Sequence, residues 1–263
     1  MRILGITAGL LAAMAIGVAQ QDAKAFLKQV QQKYRNAKSW EMQVDITVET
    51  SFGGNMNRQQ VRSTVAMQRP NRVAAKLGAT MGMPERELYS DGRTMFVYVP
   101  SGKQYLRQPA PQNFSGGNLQ FLGEAGLLIG LMEQNLDQIG PNAKFQFRGN
   151  QTVNGRQTRI VEISNSEGNS TTNVRLFVGA NDQLIYRVEL SQTMRGQGGQ
   201  GSGQPQSINT KATANVRYLS FDRPIPAARF RFTPPKDAKE IKPPQQGQPQ
   251  GRPQAPRGQG GGR

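Results

Sequence analysis

Hydrophobic positions recur every fourth residue at the start of the chain and every second residue soon after. In DAKAFLKQVQQKYRNAKSW, Phe26, Val30 and Tyr34 recur with Leu27 beside them. One apolar stripe at that spacing predicts an amphipathic helix from about Asp22 to Ala37 that packs on whatever follows. From Glu41 the period falls to two. Met42, Val44, Ile46 and Val48 alternate with Glu41, Gln43, Asp45, Thr47 and Glu49, so one face of a strand is apolar and the other polar.

The same alternation returns repeatedly, cut by turn residues. Gly53-Gly54 separates the first strand from Gln59–Gln68, which carries Val61, Val65 and Met67. Arg69-Pro70-Asn71 breaks the pattern before Arg72–Leu77, and Asp91-Gly92 joins Glu87–Ser90 to Thr94–Val99 as a hairpin. Pro100-Ser101-Gly102 then leads into Gln104–Arg107. Further strands are expected at Lys144–Arg148, Arg159–Ser164, Asn173–Val178, Leu184–Gln192 and Lys211–Phe221, with turns at Asn154-Gly155 and Ala180–Asp182. The alternating Arg229, Phe230, Arg231 and Phe232 read as one more half-buried strand. Ten or eleven short strands at this spacing predict a sandwich or barrel.

Between Pro109 and Gly140 the alternation stops. Leu119, Phe121, Leu122, Leu127, Leu128, Ile129, Leu131, Met132, Leu136 and Ile139 crowd together with few charges. One or two mostly buried helices are expected there, and helices this apolar need an apolar surface to cover. Gly116, Gly117, Gly123 and Gly126 are candidate hinges for such a cover.

The two ends differ from the middle. Arg2, the apolar run Ile3–Val18, and small residues at Gly17 and Ala19 have the form of a cleaved secretory signal over residues 1–19. The run is shorter than the roughly 20 residues a spanning helix needs. Residues 20–242 are then the folded domain. Residues 243–263, rich in Gln, Pro, Gly and Arg, lack the apolar side chains that offset the entropy of ordering.

Composition narrows the chemistry. The chain has 263 residues, no Cys, no His and a formal charge of +16. No Cys means no disulfide and no lipid-modified thiol on this chain. Without His or Cys, Ser-His-Asp and Cys-His nucleophile systems and the usual zinc ligands are excluded. Glu41, Asp45 and Glu49 share one strand face, but neighbours in that series stand about 13 Å apart by strand rise. They are too far apart for an acid–base pair. Gly196, Gly198 and Gly201 formally satisfy GxGxxG, but between two strands rather than in a βαβ unit. The positive charge is scattered, and with an export signal it points to a basic envelope surface rather than to nucleic acid. The expectation is a non-enzyme with no cofactor and no metal.

Four stretches in order along the chain together resemble the LolA family of periplasmic lipoprotein carriers, whose fold LolB and RseB share. They are AFLKQVQQKYRNAKSWEMQVDITVET (residues 25–50), MQRPNRVAAKL (67–77), ELYSDGRTMFVYVPSGKQYL (87–106) and AARFRFTPPKDAKEI (227–241). The SDG hairpin before an aromatic strand and the closing F-x-F-x-P-P are the more specific parts; the middle of the chain matches in pattern alone.

The resemblance implies a mainly β (α+β) fold: a half-open antiparallel β-barrel of about eleven strands, with an N-terminal helix and a helical lid. It implies a periplasmic monomer that holds the acyl chains of a lipoprotein, or another lipid, in an apolar interior. Cargo would pass from an inner-membrane donor to an outer-membrane acceptor. Arg69 falls on the family's Arg before the Pro of its RP motif, which helps hold the lid; the family's nearby aromatic is Val73 here, a departure. Candidate lining residues are Val44, Ile46, Val65, Met67, Val73, Met95 and Val97 from the strands, with Leu128 and Met132 from the lid. Two other readings stay open: an RseB-like sensing or protein-interaction module without cargo, and a hydrolase or polysaccharide-binding protein on a β scaffold, which needs a cleft with close carboxylates. An interior filled by its own side chains favours the sensing module.

Overall fold

The computed structural model describes residues 7–80, 83–133, 136, 139, 142–196 and 207–242, with side chains from Asp22 onward except at 116, 117, 124 and 127. Residues 1–6 of the expected signal, most of the Gly/Gln run after Gly196, and the Gln/Pro/Gly/Arg stretch 243–263 lie outside the described residues.

Helix α1 spans Thr7–Asn36, so helical backbone begins well before the expected start at Asp22. Its early residues are mostly Ala, Leu and Met, strong helix formers. The buried stripe is Ala23, Leu27, Val30 and Tyr34, each 2% exposed or less. Steps of four, three and four follow the 3.6-residue period. Phe26 sits at the stripe's edge, half-buried, its ring 5.7 Å from that of Phe147. Lys33 and Arg35 occupy the last turn, where the helix dipole favours cations. No helix among the described residues is long and apolar enough to cross a membrane.

The strands are β1 Ser39–Phe52, β2 Asn55–Gln68, β3 Arg72–Leu77, β4 Arg86–Asp91, β5 Thr94–Val99, β6 Gln104–Pro109, β7 Lys144–Val153, β8 Arg156–Glu167, β9 Ser170–Gly179, β10 Ile185–Arg195, β11 Ser207–Phe221 and β12 Lys239–Ile241. They form a single open sheet in the order β12-β6-β5-β4-β3-β2-β1-β11-β10-β9-β8-β7. All neighbours are antiparallel except the short β12, which runs parallel to β6. The architecture is mostly β and unclosed, and fits a half-open barrel. Turn chemistry agrees with the expected hairpins. Gly53 and Gly54 take φ of +56° and +82° between β1 and β2, where a Cβ is disfavoured. Asp91 accepts from the backbone N–H groups of Arg93 (2.8 Å) and Thr94 (2.9 Å) at the β4–β5 turn.

Register defines the two faces of the sheet. Met42 pairs with Val65, Val65 with Ala75, Ala75 with Leu88 and Leu88 with Val97, so these side chains form one row on the inner face. Ala66, Ala74, Tyr89 and Phe96 form the matching row outside.

The expected strand at Arg229–Phe232 is not one. Ala227–Phe230 is a short 3-10 turn, and the segment crosses the outer face as a strap. Pro224, Pro226, Pro234 and Pro235 flank it and have no N–H to give a ladder. Phe230 is buried against Ala66, Ala74 and Ile225. Phe232 lies 5.3–5.8 Å, ring to ring, from Tyr89, Phe96, Tyr98 and Tyr105.

Candidate functional site

The inner face and the helices form one apolar core. Val44, Val65, Val73 and Met95 are fully buried in it, and Ile46, Met67, Leu128 and Met132 are buried, while Val97 is half-buried at its margin. The nine expected lining residues thus converge. Leu119, Leu122, Ala125, Ile129 and Leu136 join them from the segment between β6 and β7. At the fully buried positions, protein atoms enclose the side chains on every side. The interior there is occupied by the protein's own residues.

Strand β6 lies near one edge of the sheet, next to β12, and β7 forms the other edge. Between them the chain forms a 3-10 stretch, Gly116–Leu122, and helix α2, Gly123–Glu133, whose buried apolar residues join the inner-face core. Of the expected hinges, Gly123 sits at the junction with φ +54°. Gly126 has a packing role instead: a Cβ there would stand 2.0 Å from the Leu119 carbonyl oxygen.

Polar ties hold the C-terminal end of α2. Arg69 lies in the β2–β3 turn at the rim rather than on the lining. Its Nε donates to the Ala37 carbonyl and its Nη2 to the Tyr34 carbonyl, both at 3.1 Å. The same Nη2 pairs with Glu133 Oε1 at 2.6 Å. Arg35 donates to the Glu133 carbonyl at 2.9 Å and Gln31 to the Leu131 carbonyl at 3.2 Å. Cations and donors at a helix C-terminus satisfy orphan carbonyls and complement the dipole.

Two residues of this region were not foreseen. In the sequence Glu133 stands out only as one of few charges in an apolar run, although an acid at a helix end is a natural partner for Arg69. Arg86 extends β4 by one residue toward its N-terminus, and its spacing of two from Leu88 places it on the inner face, opposite Leu77.

Acid–base chemistry has no foothold in the carboxylates of β1. Glu41 pairs with Arg229 at 2.7 Å, Asp45 with Arg62 at 2.5 Å and Glu49 with Arg58 at 3.5 Å. A polar groove of about 510 Å³ on the outer face is lined by Glu162 and Glu189 among others. Glu162 is held by Arg148 (2.7 Å) and Arg175 (2.8 Å). Burial alone would push its carboxyl up, but the two guanidinium hydrogen bonds outweigh it and hold the group below its ordinary range. A carboxylate kept ionised in this way is a poor general acid. Burial likewise raises the Tyr34 and Tyr218 phenols, whose hydroxyls hydrogen-bond each other beneath α1.

A model of a family described as predicted periplasmic proteins, DUF2092, matches residues 23–242. An uncharacterized protein of Methanocaldococcus jannaschii is 21% identical over 220 residues, covering 84% of this chain and 54% of the other. The chain thus spans about half the length of the curated relative it matches. Similar solved structures include an uncharacterized conserved protein from Thermus thermophilus, 11% identical, covering 84% of this chain and 99% of that one with a TM-score of 0.42. LprF from Mycobacterium bovis is 12% identical, covering 83% and 98%, with a TM-score of 0.40. A LolA superfamily protein from Nitrosomonas europaea is 14% identical, covering 80% and 97%, with a TM-score of 0.30.

Proposed function

The chain belongs to the DUF2092 family of predicted periplasmic proteins, and from that premise we propose that it is a non-enzymatic carrier that takes an acyl chain into its interior beneath α2. The guest is the acyl portion of a lipoprotein or another lipid, received from an inner-membrane donor and released toward an outer-membrane acceptor. The protein acts as a monomer after removal of residues 1–19. One observation carries the reading. The segment between β6 and β7 that packs into the core is a connection tied by side chains at the C-terminal end of α2, not a strand locked into the ladder.

The energetics suit reversible carriage. An acyl chain of about sixteen carbons gains about 12 kcal/mol on burial, at about 0.8 kcal/mol per methylene. Swinging α2 and the end of the 3-10 stretch away re-exposes Leu122, Leu128, Ile129 and Met132, which costs about 6–12 kcal/mol at about 1.5–3 each. The two terms are of similar size. A guest that must displace the protein's own side chains is bound weakly enough to be handed on.

A second reading has its own support. The filled interior at Val44, Val65, Val73, Leu122 and Ile129 is what a sensing or protein-interaction module of the same architecture would have.

A single experiment separates the two. The chain has no Cys, so Leu131→Cys, at a half-buried position on α2, takes one environment-sensitive label. On the carrier reading, a synthetic triacylated lipopeptide shifts the label's emission and appears as a 1:1 complex in native mass spectrometry. Absence of both signals, with this lipopeptide and with an apolar dye, removes the carrier and leaves the interaction module.

A further inference from the structure

Arg86 is nine-tenths buried, 9% exposed, on the inner face of β4. Its Nη1 has no hydrogen-bond partner, and among the described residues no carboxylate forms an ion pair with it. Its neighbours on the inner face are apolar: Leu77 lies opposite in register and Leu88 two residues on. Burying an unpaired charge is costly. A lysine in that place would shed its proton, but a guanidinium does not. The charge persists and needs an anion.

The surroundings sharpen the requirement. Arg86 Nη2 lies 2.8 Å from where a Cβ on Gly123 would stand. Gly123 is the first residue of α2, an eleven-residue helix. The Gly123 N–H itself is taken by the Gln120 carbonyl of the preceding 3-10 stretch, but the N-terminal end of the helix carries the positive pole of its dipole. At the other end of α2, Arg35 and Arg69 sit where the dipole welcomes them. At this end a cation meets the positive pole, which is unfavourable unless an anion lies between them. A helix N-terminus joined by a guanidinium is the arrangement that binds carboxylates and phosphates.

We infer that Arg86 and the first turn of α2 form an anion site at the inner edge of the cover, which holds the acidic end of an amphiphile whose acyl chain enters the core. This rests on the carrier reading and deepens it. The preferred guest is an anionic single-ended lipid, a fatty acid or a lysophospholipid with an exposed phosphate. The lipid end of an acylated lipoprotein is neutral and leaves Arg86 unpaired.

The test is displacement of a neutral apolar dye from the full chain at neutral pH by palmitate, by 1-palmitoyl lysophosphatidate and by hexadecanol. At least one acid should displace the dye at about tenfold lower concentration than hexadecanol, the worth of a charge-assisted hydrogen bond. Palmitate against lysophosphatidate tells carboxylate from phosphate. Arg86→Met should erase the acid preference while hexadecanol still competes, and its melting temperature should not fall. Arg86→Lys, which keeps a cation, should retain part of the preference.

Equal displacement by acids and alcohol overturns the anion site and leaves the carrier standing. No displacement by any of the three removes both. Glu124 follows Gly123 in the chain and is the internal alternative. If Glu124→Gln lowers the melting temperature while Arg86→Met leaves the acid preference intact, the charge belongs to an internal pair and the site is refuted.

Discussion

Arg69 in the β2–β3 turn reaches Glu133 at the end of α2, with 2.6 Å between Nη2 and Oε1, and so ties the sheet's rim to that helix. Two further hydrogen bonds aim the guanidinium, which donates to the Tyr34 and Ala37 carbonyls at the end of α1. Three separate parts of the chain thus meet on one side chain.

Removing that side chain should loosen α2 before it unfolds the sheet. The Glu133 partner is 13% exposed, so the pair is partly shielded from water and is worth about 1–2 kcal/mol. In Arg69→Ala, amide exchange across residues 123–133 is expected to quicken about tenfold, with the strands unchanged. Glu133→Gln should have a smaller effect, because Arg69 keeps its two carbonyl partners. Hydrogen exchange read by mass spectrometry decides it; an α2 as protected as in the wild type contradicts the tie.

The glycines of α2 should respond in opposite directions. At Gly126 a Cβ would stand 2.0 Å from the Leu119 carbonyl oxygen, whereas at Gly130 it would meet only Leu119 Cδ1 at 3.7 Å. Gly126→Ala should destabilise by about 2 kcal/mol through forced displacement of backbone. That outweighs the gain of about 1 kcal/mol in helix propensity. Gly130→Ala should stabilise by about 0.5 kcal/mol or more. Urea denaturation of both variants checks the pair, and a stabilised Gly126→Ala would return that residue to the role of hinge.

Glu162 should govern part of the acid limb of stability. Its folded carboxyl is lowered from the ordinary value by Arg148 and Arg175, against the upward push of burial. The group's contribution is therefore present above the unfolded pKa of about 4.3 and lost as pH falls through the folded value. Glu162→Gln should be less stable than the wild type at neutral pH, and the difference should shrink below about pH 4. Thermal melts from neutral pH to about pH 3 show whether the two curves converge.

Much of the architecture was legible because strand alternation is local. Met42, Val44, Ile46 and Val48 declared the inner face of β1 by themselves, and Asp91-Gly92 and Gly53-Gly54 marked their turns. The strap was misread: the alternation of Arg229–Phe232 looks like a strand, but its prolines and an already paired sheet exclude it from the ladder. There the rings of Phe230 and Phe232 bury on the outer face instead. That Val44, Ile46, Val65, Met67, Val73, Met95 and Val97 share one face was legible for a similar reason, since period two assigns a face without knowledge of its partner. Arg86 was overlooked because the expected strand began one residue too late, at Glu87.

The sequence by itself determined which residues are apolar, where the backbone turns, and which chemistry is excluded by the lack of His and Cys. These follow from covalent identity and from periodicities that span a few residues. Only the tertiary structure decided that β1 lies against β11, that the β6–β7 connection packs into the core, and that Arg69 meets Glu133 while Arg86 meets no carboxylate among the described residues. Those relationships join residues far apart in the chain. Closing such loops costs entropy that no local pattern records, and the pairing emerges only when the whole core is buried at once.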